Sequence, residues 1–414
     1  MTATLAPAAR APLLPWSLFA ALIASAGLPI YIHAPKFYVD EYGVSLASLG
    51  LVLFALRLID VVQDPALGWL AERGRAFRGA MVAAAAALIA LSMIALFAVP
   101  PPVAPLLWFA ITLVGLFSAF SFLTICFYAQ GVDKAATLGP QGHLRLAGWR
   151  EAGALIGISL AAVAPVALAA ATSRPFAAFA AAFAALALFA VLAMRGQWTG
   201  ARPQAAPSIR SVLSDAMARR LLLLALVNAA PVAVTSTLFL FFVESRLGAP
   251  GYEGPLLLLF FLAAAATAPL WSRAAAACGA RRTLLAGMTL AIAAFAFTFT
   301  LGAGDTLAFA VICAASGAAL GADMVLLPAI FARHLSARPG GEAMAFGLWS
   351  FASKLALAIA AATLLPALQA SGFTAGADNA APALTMLTIL YAAVPCALKL
   401  GAVTLLLLTP VPEA

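Results

Sequence analysis

A run of about 20 predominantly apolar residues, wound as a helix, matches the hydrocarbon thickness of a bilayer. A chain that supplies one such run after another has few folds open to it. Cutting this sequence at its polar, charged, proline and glycine breaks gives twelve runs, near 14–38, 44–71, 79–99, 104–130, 143–171, 175–195, 221–245, 254–272, 282–302, 306–333, 341–370 and 383–409. Of the 414 residues, 65% are hydrophobic and 9% charged, against roughly 45–50% and about 25% in soluble domains. A mean hydropathy of +1.06 leaves no room for a sizeable water-facing domain. The expected fold is an all-α integral membrane protein with twelve transmembrane helices. The first run also has the outline of a signal peptide, with Arg10 ahead of it and "ASA" at residues 24–26 as a cleavage site. It reads as a span instead, because it continues through Tyr31 and its removal would leave an odd number of spans.

Lys and Arg on alternate sides set the orientation. With the N-terminus inside, sixteen basic residues, from Arg10, Arg73, Arg75 and Arg78 through to Arg333 and Arg338, fall on the cytoplasmic side, and only Lys36, Arg174 and Arg246 fall outside. That asymmetry holds only if an even number of helices puts both termini in the cytoplasm, as expected for a multi-pass protein of the inner (plasma) membrane. The longest polar connection lies between Arg195 and Arg220. It divides the chain into a six-helix bundle over 1–195, a cytoplasmic linker over 196–220 and a second six-helix bundle over 221–414. Each half has a short basic loop after its second helix, "AERGRAFRG" and "SRAAAACGARR".

Several function classes fall away. The net charge of +8 is spread over short loops with no interleaved aromatics, so no nucleic-acid partner is expected. Cys126, Cys278, Cys313 and Cys396 are far apart and read as small apolar filler, not as a disulfide framework or a metal site. Three histidines, none near a paired nucleophile, and the lack of a phosphate-cradling glycine loop argue against an enzyme and against a resident cofactor. The expected partners are the lipid bilayer and a small-molecule substrate, with the protein a monomer.

The informative residues are the charges inside the apolar runs: Arg57, Asp60, Asp64, Arg150, Asp323, Lys354 and Lys399. A charge near the bilayer centre costs about 2.5–3.5 kcal/mol or more, so it is kept where it faces a cavity or finds a partner. Arg57, Asp60 and Asp64 are spaced three and four apart and share one side of a helix. Two carboxylates a turn apart in poor solvent cannot both stay ionised without a cation, so either one takes up a proton or a hard cation settles between them. Pro65 has no N–H to give the carbonyl of Val61, which frees that oxygen too. A plain Arg57–Asp60 salt bridge, the alternative, leaves Asp64 unexplained.

The stretch "YVDEYGVSLASLG" followed by "ALRLIDVVQDPALGW" resembles the glycoside-pentoside-hexuronide:cation symporters, the melibiose permease-like family of the major facilitator superfamily. Its R-x-x-D-x-x-x-D-P-x-x-G-W signature is met by Arg57, Asp60, Asp64, Pro65, Gly68 and Trp69. "GWREAGALIG" resembles the family's helix 5 arginine at Arg150, and "LWSFASKLALA" its helix 11 lysine at Lys354. The resemblance implies two six-helix halves in parallel orientation, a site for Na+, Li+ or H+ at Asp60 and Asp64, and Arg57, Arg150 and Lys354 beside a central cavity. It also implies that Thr124, Tyr128 and Gln130 on helix 4 face that cavity and offer hydrogen bonds to a neutral polar or partly apolar substrate. Two departures matter. The acids with which sugar-binding relatives grip hydroxyls fall here on or near Ala24 and Thr124, and the loop after helix 2 lacks the family's Pro-Trp ending. The cation site carries over; the sugar site does not.

Asp323 is expected to face the cavity, binding substrate or pairing with Lys354 across the halves. Arg150 sits about seven residues into its helix, so it either faces the cavity or snorkels to the surface. Glu151, about 100° further round, is not expected to pair with it. Lys399 has no family counterpart and stays unassigned. His33, near Tyr31 and Lys36, reads as a wetted side chain. The functional expectation is a secondary active transporter working by alternating access and coupled to Na+ or H+, with a lipid or lysolipid transporter of the same fold, or an uncoupled uniporter, as alternatives.

Overall fold

The computed structural model describes residues 13–139, 141–198, 209–337, 341–374 and 379–410. Among them all regular structure is helical. The first apolar run is broken: α1 (Leu14–Ser25) stops at Gly27 and α2 (Leu28–Tyr42) restarts the chain, with a proline in its first turn. There follow α3 (Leu46–Arg73), a 3-10 turn at Arg75–Phe77, α4 (Arg78–Phe97), α5 (Pro105–Ala136), α6 (Gly142–Ala169) and α7 (Pro175–Met194). Beyond the undescribed residues 199–208 come the short α8 (Ile209–Ser214), α9 (Ala216–Phe241) with a π-helical turn at Phe242–Arg246, α10 (Glu253–Cys278), α11 (Ala280–Ala296), α12 (Thr306–Ser336) and α13 (Glu342–Ala370). The last run is α14 (Ala381–Thr388), a π-helical turn at Ile389–Ala393 and α15 (Val394–Leu408).

Ten of these helical segments are long and apolar enough to cross a membrane, among them Pro105–Ala136 and Thr306–Ser336. α1 is too short at 12 residues, and α3, with 28, carries the charged stripe. One apolar core runs through the elements before 199 and on into those after 208 as far as Leu406; in it Trp16 and Phe19 of α1 meet Phe127 of α5 at ring distances of 5.2 Å. A second core lies wholly after 208, where Phe242 stacks on Tyr391 at 4.2 Å. Asp215 starts α9 as an N-cap, its Oδ1 accepting from the backbone N–H of Met217 (2.9 Å) and Ala218 (3.3 Å). His334 of α12 holds the other carboxylate oxygen at 2.7 Å.

The two sets of elements meet where α3 packs on α13 and α6 on α10. In lipid, helices gain by close approach rather than by leaving water, and small residues permit it. Gly68 and Gly347 show the effect: a Cβ on either would come within 2.9 Å of a backbone oxygen of the facing helix, that of Ala343 or Asp64. This seam carries the site.

Candidate functional site

Asp60 and Asp64 lie one turn apart near the middle of α3, 4% and 0% exposed. From α13, Lys354 brings its Nζ to 3.0 Å from Asp64 and 3.7 Å from Asp60. The ammonium donates to Asp64 Oδ1 and, at 2.7 Å, to the Ser121 hydroxyl of α5. Gln63 braces the pair, donating to Asp60 Oδ1 at 2.7 Å while its own Oε1 accepts from Ser118 at 2.9 Å. Asp64 Oδ2 is buried too, and its contact is the same Lys354 ammonium at 3.0 Å. Among the described side chains, two carboxylates share one ammonium. The donor set is all oxygen, carboxylates with hydroxyls beside them, the chemistry of a hard cation or a proton. The side chain of Arg57 lies outside the described residues. Ser118, Ser121 and Gln63 were missed in the sequence, although the two serines, three apart on α5, share a helix face.

Arg150 does not snorkel. It is buried in α6, with its guanidinium 3.8 Å above the Tyr128 ring and its Nε donating to Glu151 Oε1 at 2.9 Å. The Tyr128 hydroxyl donates to the same oxygen at 3.2 Å. The expectation that Glu151 is not Arg150's partner is thus overturned: side chains this long close a 100° gap when a third group on a neighbouring helix draws both. Tyr128 also opens an aromatic cluster across the seam, with Phe346 at 5.2 Å, then Phe331 and Trp349. Thr124 spends its hydroxyl on the Phe120 carbonyl of its own helix at 2.7 Å, and Gln130 accepts from the buried Arg78 at 3.2 Å. Ala24 lies on α1.

Asp323 does not pair with Lys354. Its partner is Lys399 of α15, which also donates to Asn228 Oδ1 of α9 at 2.7 Å. Lys354 is held by the α3 acids at the seam, while Asp323 lies against elements that all follow residue 208. His33 is not wetted: it is buried, with Nε2 2.9 Å from the Ala162 carbonyl. Pro165 has no N–H to give the carbonyl of Ala161, the neighbour of the one His33 meets in α6. The side chains of Tyr31 and Lys36 lie outside the described residues.

At one end of the molecule the seam is bolted. Arg75 Nη1 donates to Glu342 at 2.9 Å and to Glu72 at 3.3 Å, and its Nη2 to Asp133 at 3.2 Å. Glu72 in turn accepts the backbone N–H of Ala343 at 3.2 Å. On the flank of the same end, Ser272 of α10 donates to the Leu144 carbonyl of α6 at 2.8 Å.

Against known proteins, the description "MFS/sugar transport protein" matches residues 17–413. No curated protein matches the sequence. Among solved structures, the fold is similar to that of a bacterial homologue of the iron transporter ferroportin in an outward-facing state, with a TM-score of 0.72, 13% identity, and 96% of this chain and 98% of that chain covered. It is similar also to the human organic anion transporter MFSD10, with a TM-score of 0.65, 15% identity, and coverage of 95% and 98%. At such identities the likeness speaks for the fold alone. The chain belongs to the MFS/sugar transport protein family and is a multi-pass membrane transporter, not an enzyme.

Proposed function

We propose that the protein is a secondary active transporter of a small organic solute, coupled to Na+ or H+ through Asp60 and Asp64 and working by alternating access of two six-helix bundles. The observation that carries this is the Lys354 ammonium of α13 held between the two α3 carboxylates. The lysine balances one acid, and a cation or proton balances the other. A dehydrated seam bearing an unbalanced carboxylate is expensive to move, so cation binding licenses reorientation. Twelve spans, bundles at 1–195 and 221–414 joined by the 196–220 linker, both termini in the cytoplasm and an inner-membrane location complete the proposal. The basic-residue asymmetry supports that orientation, which puts the Arg75–Glu342 bolt on the cytoplasmic side.

The solute is a neutral polar or partly apolar molecule. Arg150 and Lys354 are already matched by Glu151 and by the α3 acids, and a sugar-type grip lacks its carboxylates at Ala24 and Thr124. A second reading, uniport, draws on the same geometry, since Lys354 sits close enough to Asp64 to balance it unaided. Solute screening in proteoliposomes with Na+ and H+ gradients imposed separately decides. Gradient-driven accumulation that Asp64→Asn abolishes while exchange survives supports coupling. Uphill uptake unimpaired in that variant refutes it, and downhill uptake indifferent to both gradients establishes uniport.

A further inference from the structure

Two cavities lie side by side where the start of α6 meets the end of α10. One, of about 740 Å³, is lined by Arg145 and Arg273; the other, of about 560 Å³, by His143, Arg282 and Arg333. They share Gln141 and Ala276, and among the described residues neither is lined by an acid. Arg145, Arg273 and Arg333 form no ion pair with any described residue. Arg145, Arg273 and Arg333, gathered in a crevice with no acid among its described lining residues, focus a positive potential that an anion satisfies.

The walls say which anion. Apart from the arginines, Gln141 and Ser272, the larger cavity is apolar, with Leu144, Trp149, Ala152 and Pro269. Trp149 is 47% exposed, and from it an exposed apolar strip runs along α6 through Ile156, Leu160 and Val163. α10 shows Leu270 and Leu262 beside it. An indole next to arginines at the mouth of an apolar strip is the pattern of a membrane interface. A free phosphate would use the arginines and leave the strip idle; a lipid uses both.

We propose that this crevice binds an anionic phospholipid, its phosphate held between Arg145 of α6 and Arg273 of α10 and an acyl chain laid along the Trp149 strip. The lipid bridges the seam beside the Ser272–Leu144 and Gln141–Ala276 hydrogen bonds, so it helps to hold this end closed.

The test is native mass spectrometry of the delipidated full-length protein titrated with phosphatidylglycerol, phosphatidylcholine or inorganic phosphate. Phosphatidylglycerol should be retained, with the other two retained far less. Arg145→Gln with Arg273→Gln should weaken retention about thirtyfold, the loss of two basic contacts at an anionic surface, while Arg220→Gln, an exposed arginine elsewhere, should leave it unchanged. Ala152→Phe, which narrows the apolar wall and keeps every charge, should also weaken it, and it serves if the double variant fails to fold. Equal retention of phosphatidylcholine, competition by inorganic phosphate alone, an equal loss in Arg220→Gln, or full retention in Ala152→Phe would each overturn the proposal.

Discussion

Asp64–Lys354 and Asp323–Lys399 are both buried aspartate–lysine pairs, each with a neutral third partner, Ser121 in one and Asn228 in the other. They differ in what they join and in their ratio of acid to base. The first links α3 to α13 across the seam and has a second acid, Asp60, within 3.7 Å of the same ammonium. The second closes on α9, α12 and α15, with one acid for one base. A pair across a seam that opens and closes needs a substitute partner for whichever charge it abandons, and a second carboxylate close by plus a mobile cation provides one. A pair inside one packed set never parts and needs none.

The sharpest way to break this contrast is to remove each lysine in turn. Lys399→Ala should destabilise the protein by about 3–5 kcal/mol, the usual loss when a buried charge is left alone, read as thermal unfolding in detergent. Adding Asp323→Leu to it should restore most of the loss. Lys354→Ala should lose less and should recover on adding Na+ or lowering the pH, because two facing carboxylates accept either cation; equal losses with no recovery would erase the distinction.

Next in size is the bolt. Arg75→Ala removes the cation that Glu342, Glu72 and Asp133 share, and truncating one partner of a buried charged contact typically loses roughly 2–5 kcal/mol. Spin labels on the ends of α3 and α13 should report a longer distance in a larger share of molecules. Gly347→Val sharpens the same point sterically, since its Cβ would stand 2.9 Å from the Asp64 carbonyl and 3.1 Å from the Gly68 Cα. Overpacking of this kind costs about 1–3 kcal/mol, and it should fall on the closed form, with the same labels moving apart.

The smallest expected effect lies away from the seam. Asp215→Ala should cost about 1 kcal/mol of stability through the lost N-cap. Burial pushes the Asp215 carboxyl up, but the hydrogen bonds from His334 and from the Ala218 and Met217 amides outweigh it and hold the group below its ordinary 3.8. A depressed folded value means that its contribution is present above about pH 3.8 and fades as the pH falls through the folded value. Thermal unfolding of wild type and Asp215→Ala should therefore converge in acid.

How much of this was legible in the sequence depended on whether the signal was local. The Asp60 and Asp64 stripe stands in one helix turn of sequence, and the resemblance added Lys354; the structure brings the three together. Helices occupy each of the apolar runs, though the break at Gly27 and the π-helical turns are backbone details that hydropathy does not carry. Asp323 and Asn228 sit 76 and 171 positions from Lys399 along the chain. Nothing in sequence pairs them beyond the rule that a buried lysine needs a partner. Arg150–Glu151 was misjudged because a helical wheel places Cα atoms and not the ends of long side chains. His33 was misjudged because the Ala162 carbonyl it meets belongs to another helix.

The central claim, that the α3 carboxylates take up the coupling cation beside Lys354, is tested most directly by isothermal titration of Na+, and of acid, into the purified protein and into Asp64→Asn. The account predicts saturable uptake of Na+ or of a proton by the wild type, and its loss in a variant that unfolds at a similar temperature. Undiminished uptake by Asp64→Asn, or a wild type that takes up neither, would contradict it.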